Sequence, residues 1–235
     1  MSATLHPDLE RVLRSAAALQ RAVPDAVLVG GSAAAYHAGH RVSFDHDHVL
    51  ADLVERYDSV LEAVEATDGW ATSVRASRPP FTLMGSLGGV EAGLRQLRRS
   101  VPLETVRISL PGGDEVTAPT IEEALRVKAY LLVARNQVRD FIDVAALADR
   151  MGLPDAVAVL RDIDRYYRDR SEDEESVATA LAERLAAPAP RDRRVITELA
   201  SYKGLAPRWH SWADVVAVCT ALADGLLDSA GSGQV

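Results

Sequence analysis

Apolar positions along the chain recur first with a helical period and later in alternation. Leu9, Val12, Leu13, Ala16 and Leu19 fall three or four residues apart, which predicts an amphipathic helix over Asp8 to Ala22. The run "AVLVGG" reads as a short strand ending in glycines. Ser32 to His40 has the composition of a short helix closed by Gly39, and "RVSFDHDHVLA" reads as a second strand. Helical spacing returns over Asp52 to Thr67. From Trp70 to Glu115 the texture becomes β: "WATSVRAS", "FTLMGSL", "GVEAGLRQL" and "TVRISL" are set apart by Pro79-Pro80, Gly88-Gly89 and Pro102, and "PGGD" closes the last.

Beyond Pro119 the pattern is almost wholly helical. Thr120 and Glu123 form a capping box opening the helix "IEEALRVKAYLLVAR", and Leu153-Pro154 starts another. The acidic run "SEDEES" reads as an exposed loop or helix start, "APAPRDRR" (187–194) as a linker, and "DSAGSGQV" as a disordered tail. The expected organisation is an α/β (α+β) domain over 1–118, a helical domain over 119–228 and a disordered tail over 229–235.

Composition narrows the class. Of 235 residues, 48% are apolar and 26% charged, the balance of a soluble globular protein with a real core. The single cysteine, Cys219, rules out an internal disulfide and sits in "VVAVCTALA", where a buried inert thiol is expected. The amino terminus shows no basic flank leading into an apolar core, and no apolar run approaches the ~20 residues that span a bilayer. A cytoplasmic protein with no membrane partner is expected. A net charge of −8 argues against a general nucleic-acid binder, yet Gly69 to Leu110 carries six arginines against two glutamates, a local net of +4.

The chemistry concentrates in "LVGGSAAAYHAGHRVSFDHDHV". If Val42 to Leu50 is a strand, Ser43, Asp45 and Asp47 share one face while Phe44, His46 and His48 share the other. The two aspartates then lie about 7 Å apart at their Cα atoms, close enough to converge on divalent ions. With the histidines turned away, the donors are hard oxygens, suited to Mg²⁺ or Mn²⁺ rather than Zn²⁺. Gly30-Gly31-Ser32 ends one strand and opens one helix, whose exposed amides attract phosphate oxygens. An anion site beside a carboxylate pair is the layout of metal-assisted phosphoryl chemistry.

"GGS", twelve further residues and "DHD" resemble the signature of the nucleotidyltransferase superfamily, and "GGSAAAYHAGHRVSFDHD" is similar to its AbiEii-type branch. "KAYLLVARNQVRDFIDVAAL" (Lys128 to Leu147) is similar to that branch's second motif. The resemblance covers about 40 residues. It implies a mixed sheet with flanking helices and transfer of a nucleoside monophosphate from an NTP. Gly30, Gly31 and Ser32 would hold the triphosphate. Asp45 and Asp47 would bind Mg²⁺ or Mn²⁺, and Arg41 and Ser43 would support that strand or touch phosphate. Lys128 would reach the triphosphate, and Arg139, Asp140 and Asp143 would build a second wall. For the family's third carboxylate, Glu91 comes first and Glu104 second. The branch also implies a toxin with a cognate antitoxin, and tRNA or another RNA, a protein or a small molecule as acceptor.

The sequence departs from the family pattern at His46 and His48, where apolar residues are usual. That departure keeps open a catalytically degenerate binding module. On one continuous helix, Lys128, Arg135 and Arg139 would share a face suited to a polyphosphate, with Asp143 placed to pair with Arg139.

Overall fold

The computed structural model describes residues 5–167 and 176–231, with side chains to 228, so most of the acidic run "SEDEES" and the last four residues lie outside the described residues. The chain divides into two compact units. The first takes the residues up to Tyr36, Val42–Arg98 and Pro102–Thr120; the second takes His37–Arg41, Arg99–Val101 and everything from Ile121 on.

In the first unit, helix α1 (Pro7–Ala22) leads into β1 (Val27–Val29), α2 (Gly30–Ala38) and β2 (Asp45–Leu50). Helix α3 (Tyr57–Glu65) and strands β3 (Trp70–Thr72), β4 (Thr82–Leu87) and β5 (Val90–Gln96) follow, and β6 (Thr105–Ser109) and β7 (Glu115–Pro119) close the unit. Five strands form one sheet in the order β1-β2-β5-β4-β3. Only the central β2–β5 pair is parallel; its neighbours are antiparallel. Strands β6 and β7 form a separate antiparallel ribbon.

Strand alternation puts Leu50, Leu83, Leu87 and Leu94 on one face of the sheet, where they pack with Leu19 of α1 and Val60 and Val64 of α3. The opposite periodic edge of α1, through Leu9 and Leu13, packs with Leu28, Ile108 and Val116. Both contacts follow from the i, i+4 apolar spacing of α1, whose start is set by Pro7 and by His6 accepting from the Asp8 amide.

The second unit is helical: α4 (Ile121–Arg135), α5 (Val138–Met151), α6 (Leu153–Arg161), α7 (Ile163–Tyr167), α8 (Val177–Ala186), 3-10 segments over Arg193–Ser201 and Pro207–Trp209, and α9 (Trp212–Gly231). Phe141, Ile142, Leu132 and Leu147 are fully buried in it. Trp209 is buried, and Trp212 meets Phe141 edge-on. Cys219 is buried, and burial pushes its thiol up to about 12. Among the described residues no helix is long and apolar enough to cross a membrane.

Several expected boundaries shift. The strand expected from Val42 begins at Asp45, and the helix expected from Asp52 begins at Tyr57 after a turn. "EVTAP" is a strand that the alternation pattern did not reveal, and α9 runs three residues into the stretch read as tail. The helix expected to carry Lys128, Arg135 and Arg139 together is broken between Arg135 and Val138. Asn136 there adopts φ +53°, a left-handed conformation that ends α4, and so the alignment of those cations on one helix does not exist. The "APAPRDRR" stretch is strapped to this break. The Asn136 side chain donates to the Ala189 carbonyl, the Arg191 amide donates to the Asn136 carbonyl, and the Asp192 carboxylate accepts from the Val138 amide.

Candidate active site

Strand β2 carries alternating side chains, and the alternation sorts them by environment. His46 and His48 are buried on the helix-covered face, Asp45 is exposed and Asp47 half-buried on the other. His46 Nε2 lies 3.0 Å from the Ser15 hydroxyl, which also reaches the Leu87 carbonyl. That hydroxyl has one proton, given to the carbonyl, so it accepts from His46 Nε2–H. Burial lowers the pKa of His46 to about 4, against a weaker opposing pull from Asp45. Burial also holds His48 well below its ordinary value, and neither of its nitrogens finds a partner among the described residues. Both rings are neutral.

The acidic face is built by register. In the parallel β2–β5 pair, Asp45 stands opposite Glu91 and Asp47 opposite Gly93. Glu91, Gly93 and Arg95 alternate onto the same face as the two aspartates. Glu104 precedes β6, in the separate ribbon, so Glu91 is the carboxylate that shares a sheet with the pair. Gly93 leaves the space Asp47 uses: a Cβ there would stand 2.5 Å from Asp47 Oδ1 and 2.9 Å from Met84 Sδ. Gly30, at φ +77°, turns the chain directly from β1 into α2, and a Cβ on it would stand 3.6 Å from Asp47 Oδ2.

The Asp45 carboxylate accepts from the Ser43 hydroxyl at 3.1 Å, and Asp47 Oδ1 accepts from Arg95 Nε at 3.2 Å. Ser32, next in α2 after Gly30 and Gly31, is fully buried with its hydroxyl unpartnered among the described residues. No three His, Cys, Asp or Glu side chains are grouped as a metal site among the described residues.

A second cluster lies within the helical unit, all of it buried. Asp143 receives Arg41 through two hydrogen bonds, Nε to Oδ1 at 2.7 Å and Nη2 to Oδ2 at 3.0 Å. It also meets Lys128 Nζ at 2.7 Å and His40 Nε2 at 2.7 Å. Burial alone would raise the pKa of Asp143; Arg41, Lys128 and the His40 hydrogen bond overcome it and hold the acid well below the usual range. Burial lowers His40 despite the partnering carboxylate.

Asp143 therefore pairs with Arg41, Lys128 and His40, in place of the expected Arg139 pairing. Asp140 is fully buried with neither oxygen hydrogen-bonded among the described residues, and burial raises its pKa against the pull of Lys128 and Arg135. Arg139 is half-buried, its Nε unpartnered among the described residues.

Two residues carry roles that the sequence did not reveal. His40, read only as the last residue of a short helix, is buried against Asp143. Arg95, counted in the basic segment, belongs to the acidic face. Arg99 of the same segment is buried in the helical unit, paired with Glu123 at 2.8 Å and lying over the rings of Tyr166 and Tyr167. The basic segment is thus not one solvated surface.

No protein-family model matches the chain. It is 32% identical over 233 residues to the heme uptake protein MmpL11 of Mycobacterium tuberculosis, an alignment covering 95% of this chain and 23% of that protein. The chain spans less than a quarter of the length of the curated relatives it matches. Among solved structures it is similar to MenT4, a nucleotidyltransferase toxin from Mycobacterium tuberculosis, with a TM-score of 0.57, 18% identity, and 94% of this chain and 83% of that one covered. It is also similar to JHP933 from Helicobacter pylori, with a TM-score of 0.50, 16% identity and 97% of each chain covered. The fold and the carboxylate-bearing strand define the class: this chain has the nucleotidyltransferase fold, as the two sequence motifs imply.

Proposed function

We propose that the chain is a metal-dependent nucleotidyltransferase, moving a nucleoside monophosphate from an NTP to an acceptor and releasing pyrophosphate. The observation that carries this reading is the register of β2 and β5. It sets Asp45 opposite Glu91 with Asp47 on the same face, beside the glycine turn that opens α2. The donors fit a hard divalent ion: they are carboxylate oxygens, and the only imidazoles on β2 are turned into the core. Asp45 and Asp47, with Glu91, would hold Mg²⁺ or Mn²⁺, which when bound would polarise the phosphoryl group and the acceptor oxygen.

The chain's own residues do the rest. Gly30 and Gly31 bring backbone close to the phosphates, and the Ser32 hydroxyl, unpartnered among the described residues, turns to them. Ser43 orients Asp45, and Glu91 takes the acceptor's proton as the acceptor oxygen bonds to the α-phosphorus and pyrophosphate leaves. Lys128, Arg139, Asp140 and Asp143 join the nucleotide-binding set by the motif resemblance, with Arg41 fixing Asp143. An AbiEii-type toxin, held by a cognate antitoxin and acting in the cytoplasm on an RNA end, a protein or a small molecule, is the biological setting this reading favours.

The test is incubation with each α-labelled NTP, Mg²⁺ or Mn²⁺, total RNA and cell extract, beside Asp47→Ala. Label on RNA or protein with the wild type alone supports the reading and names the acceptor class. A second reading, a nucleotidyltransferase-fold binding module without turnover, draws on Asp47 being ion-paired to Arg95 and on the alignment with part of the heme uptake protein MmpL11. It predicts that Asp45→Ala and Asp47→Ala leave partner binding intact.

A further inference from the structure

Arg95 stands where a cation would act on Asp47. Its Nε donates to Asp47 Oδ1 at 3.2 Å, and its Nη2 lies 3.5 Å from Met84 Sδ. Strand register explains the reach. Arg95 is two residues beyond Gly93, the partner of Asp47, and shares its face; the missing Gly93 side chain leaves a floor over which Asp47, Met84 and Arg95 converge. The pair is open to solvent, with Arg95 45% and Asp47 30% exposed, so water screens it and little free energy holds it closed. A guanidinium and a divalent ion compete for the same oxygen. With Oδ1 occupied by Arg95, Asp47 offers a metal only its second oxygen.

We propose that Arg95 is a positioning residue of this face: a displaceable cation that holds the Asp47 carboxylate in place until a divalent ion takes it over. The inference rests on the metal-dependent reading of Asp45 and Asp47. Arg95 thus sets the threshold of divalent-ion concentration at which the carboxylates become free. A merely structural ion pair makes the opposite prediction, because its loss would loosen Asp47 and weaken ion binding.

The experiment measures Mn²⁺ binding to the full chain without nucleotide, by electron paramagnetic resonance of free Mn²⁺, for the wild type, Arg95→Ala, Arg95→Gln and Arg95→Lys. Thermal melts run in parallel. Removing the guanidinium charge should tighten Mn²⁺ binding up to about fivefold, the competition that an exposed ion pair can offer. Arg95→Lys should stay near the wild type, and adding Asp47→Asn should erase the gain. Unchanged or weaker binding in both neutral variants, with wild-type binding still abolished by Asp45→Ala, overturns the role of Arg95 alone. Absence of Mn²⁺ binding from every variant overturns it together with the metal-dependent reading.

Discussion

Lys128 and Asp143 meet at 2.7 Å inside the helical unit, and the same carboxylate also takes Arg41 and His40, with the Asp143 side chain fully buried. Two guanidinium nitrogens, an ammonium and an imidazole N–H converge on one pair of oxygens. Removing that carboxylate would strand two buried cations, and breaking a buried pair on one side costs about 3–5 kcal/mol. Asp143→Asn is therefore expected to shift the urea midpoint strongly. Asp45→Ala, on the exposed end of β2, should change stability by only about 0.5 kcal/mol while abolishing nucleotidyl transfer. Equal stability losses in both variants would refute this division between a buried ionic core and a working face.

Stability should fall on mild acidification, and the buried histidines set the window. His46 drops from 6.5 to about 4 in the fold, so between those values the unfolded chain holds the proton and the folded chain does not. Unfolding then takes up protons, and stability rises with pH across the window and is lost as pH falls. For His46 alone the span corresponds to about 3 kcal/mol. His48, whose pKa burial also holds well below its ordinary value, adds to the same slope. The Asp143 contribution is present above its unfolded pKa and is lost as pH falls below that value towards its lowered folded pKa, so it begins to fade at the acid end of the window. Urea midpoints between pH 7 and 4 in EDTA should fall for the wild type and flatten in His46→Gln and His48→Leu. Asp140, whose raised pKa acts in the opposite sense, is common to all variants, so wild-type and variant profiles of the same slope would contradict neutral burial.

What the sequence disclosed follows the physics of local pattern. The facing of Asp45 and Asp47 away from His46 and His48 needs only strand alternation, and the end of α2 needs only Gly39. Partners distant in sequence are not legible from local pattern, and Glu91 is reached only through the family resemblance. Asp45 meets Glu91 because a parallel pair forms across 45 residues of intervening chain, and no local pattern encodes that register. The break after Arg135 depends on Asn136 adopting φ +53° while its side chain is strapped to Ala189. Arg98 and Arg99 look alike in sequence, yet one is exposed and the other buried, a difference set by Glu123 and the Tyr166–Tyr167 rings.

That contrast is itself testable. Arg99 pairs with Glu123 beneath the surface, and Arg126 occupies the other oxygen of the same glutamate at 3.0 Å. Arg99→Ala should destabilise the chain by about 3 kcal/mol or more, and Arg98→Ala by about 0.5 kcal/mol or less. If RNA is the acceptor, Arg98→Ala should instead weaken binding in a salt-dependent manner without lowering the melting temperature. Similar melting losses for both variants would place Arg98 in the interior as well.

Gly93→Ala tests whether space over β5 positions the carboxylate. The added methyl would stand 2.5 Å from Asp47 Oδ1 and 2.9 Å from Met84 Sδ, both ends of movable side chains, so the strand should survive with a loss of about 1–3 kcal/mol. The displaced carboxylate should weaken Mn²⁺ binding by about tenfold or more, as changes beside metal ligands do. Retained Mn²⁺ affinity with a normal melt would show that Asp47 does not need the Gly93 floor.

Ser32→Ala should move stability and function in opposite directions. The Ser32 hydroxyl is fully buried and has no hydrogen-bond partner among the described residues, a state that costs about 1–3 kcal/mol relative to an apolar group. Alanine removes that cost and suits a helix interior better, so the melting temperature should rise slightly. If the hydroxyl exists to meet a phosphate oxygen, the same change should weaken NTP binding by about tenfold to a hundredfold, the worth of one hydrogen bond to a charged group. A fold that keeps an unsatisfied donor at the start of α2 would then be trading stability for ligand affinity. A more stable Ser32→Ala protein with undiminished NTP affinity would remove Ser32 from the binding site and leave the amides of Gly30 and Gly31 as its phosphate contacts.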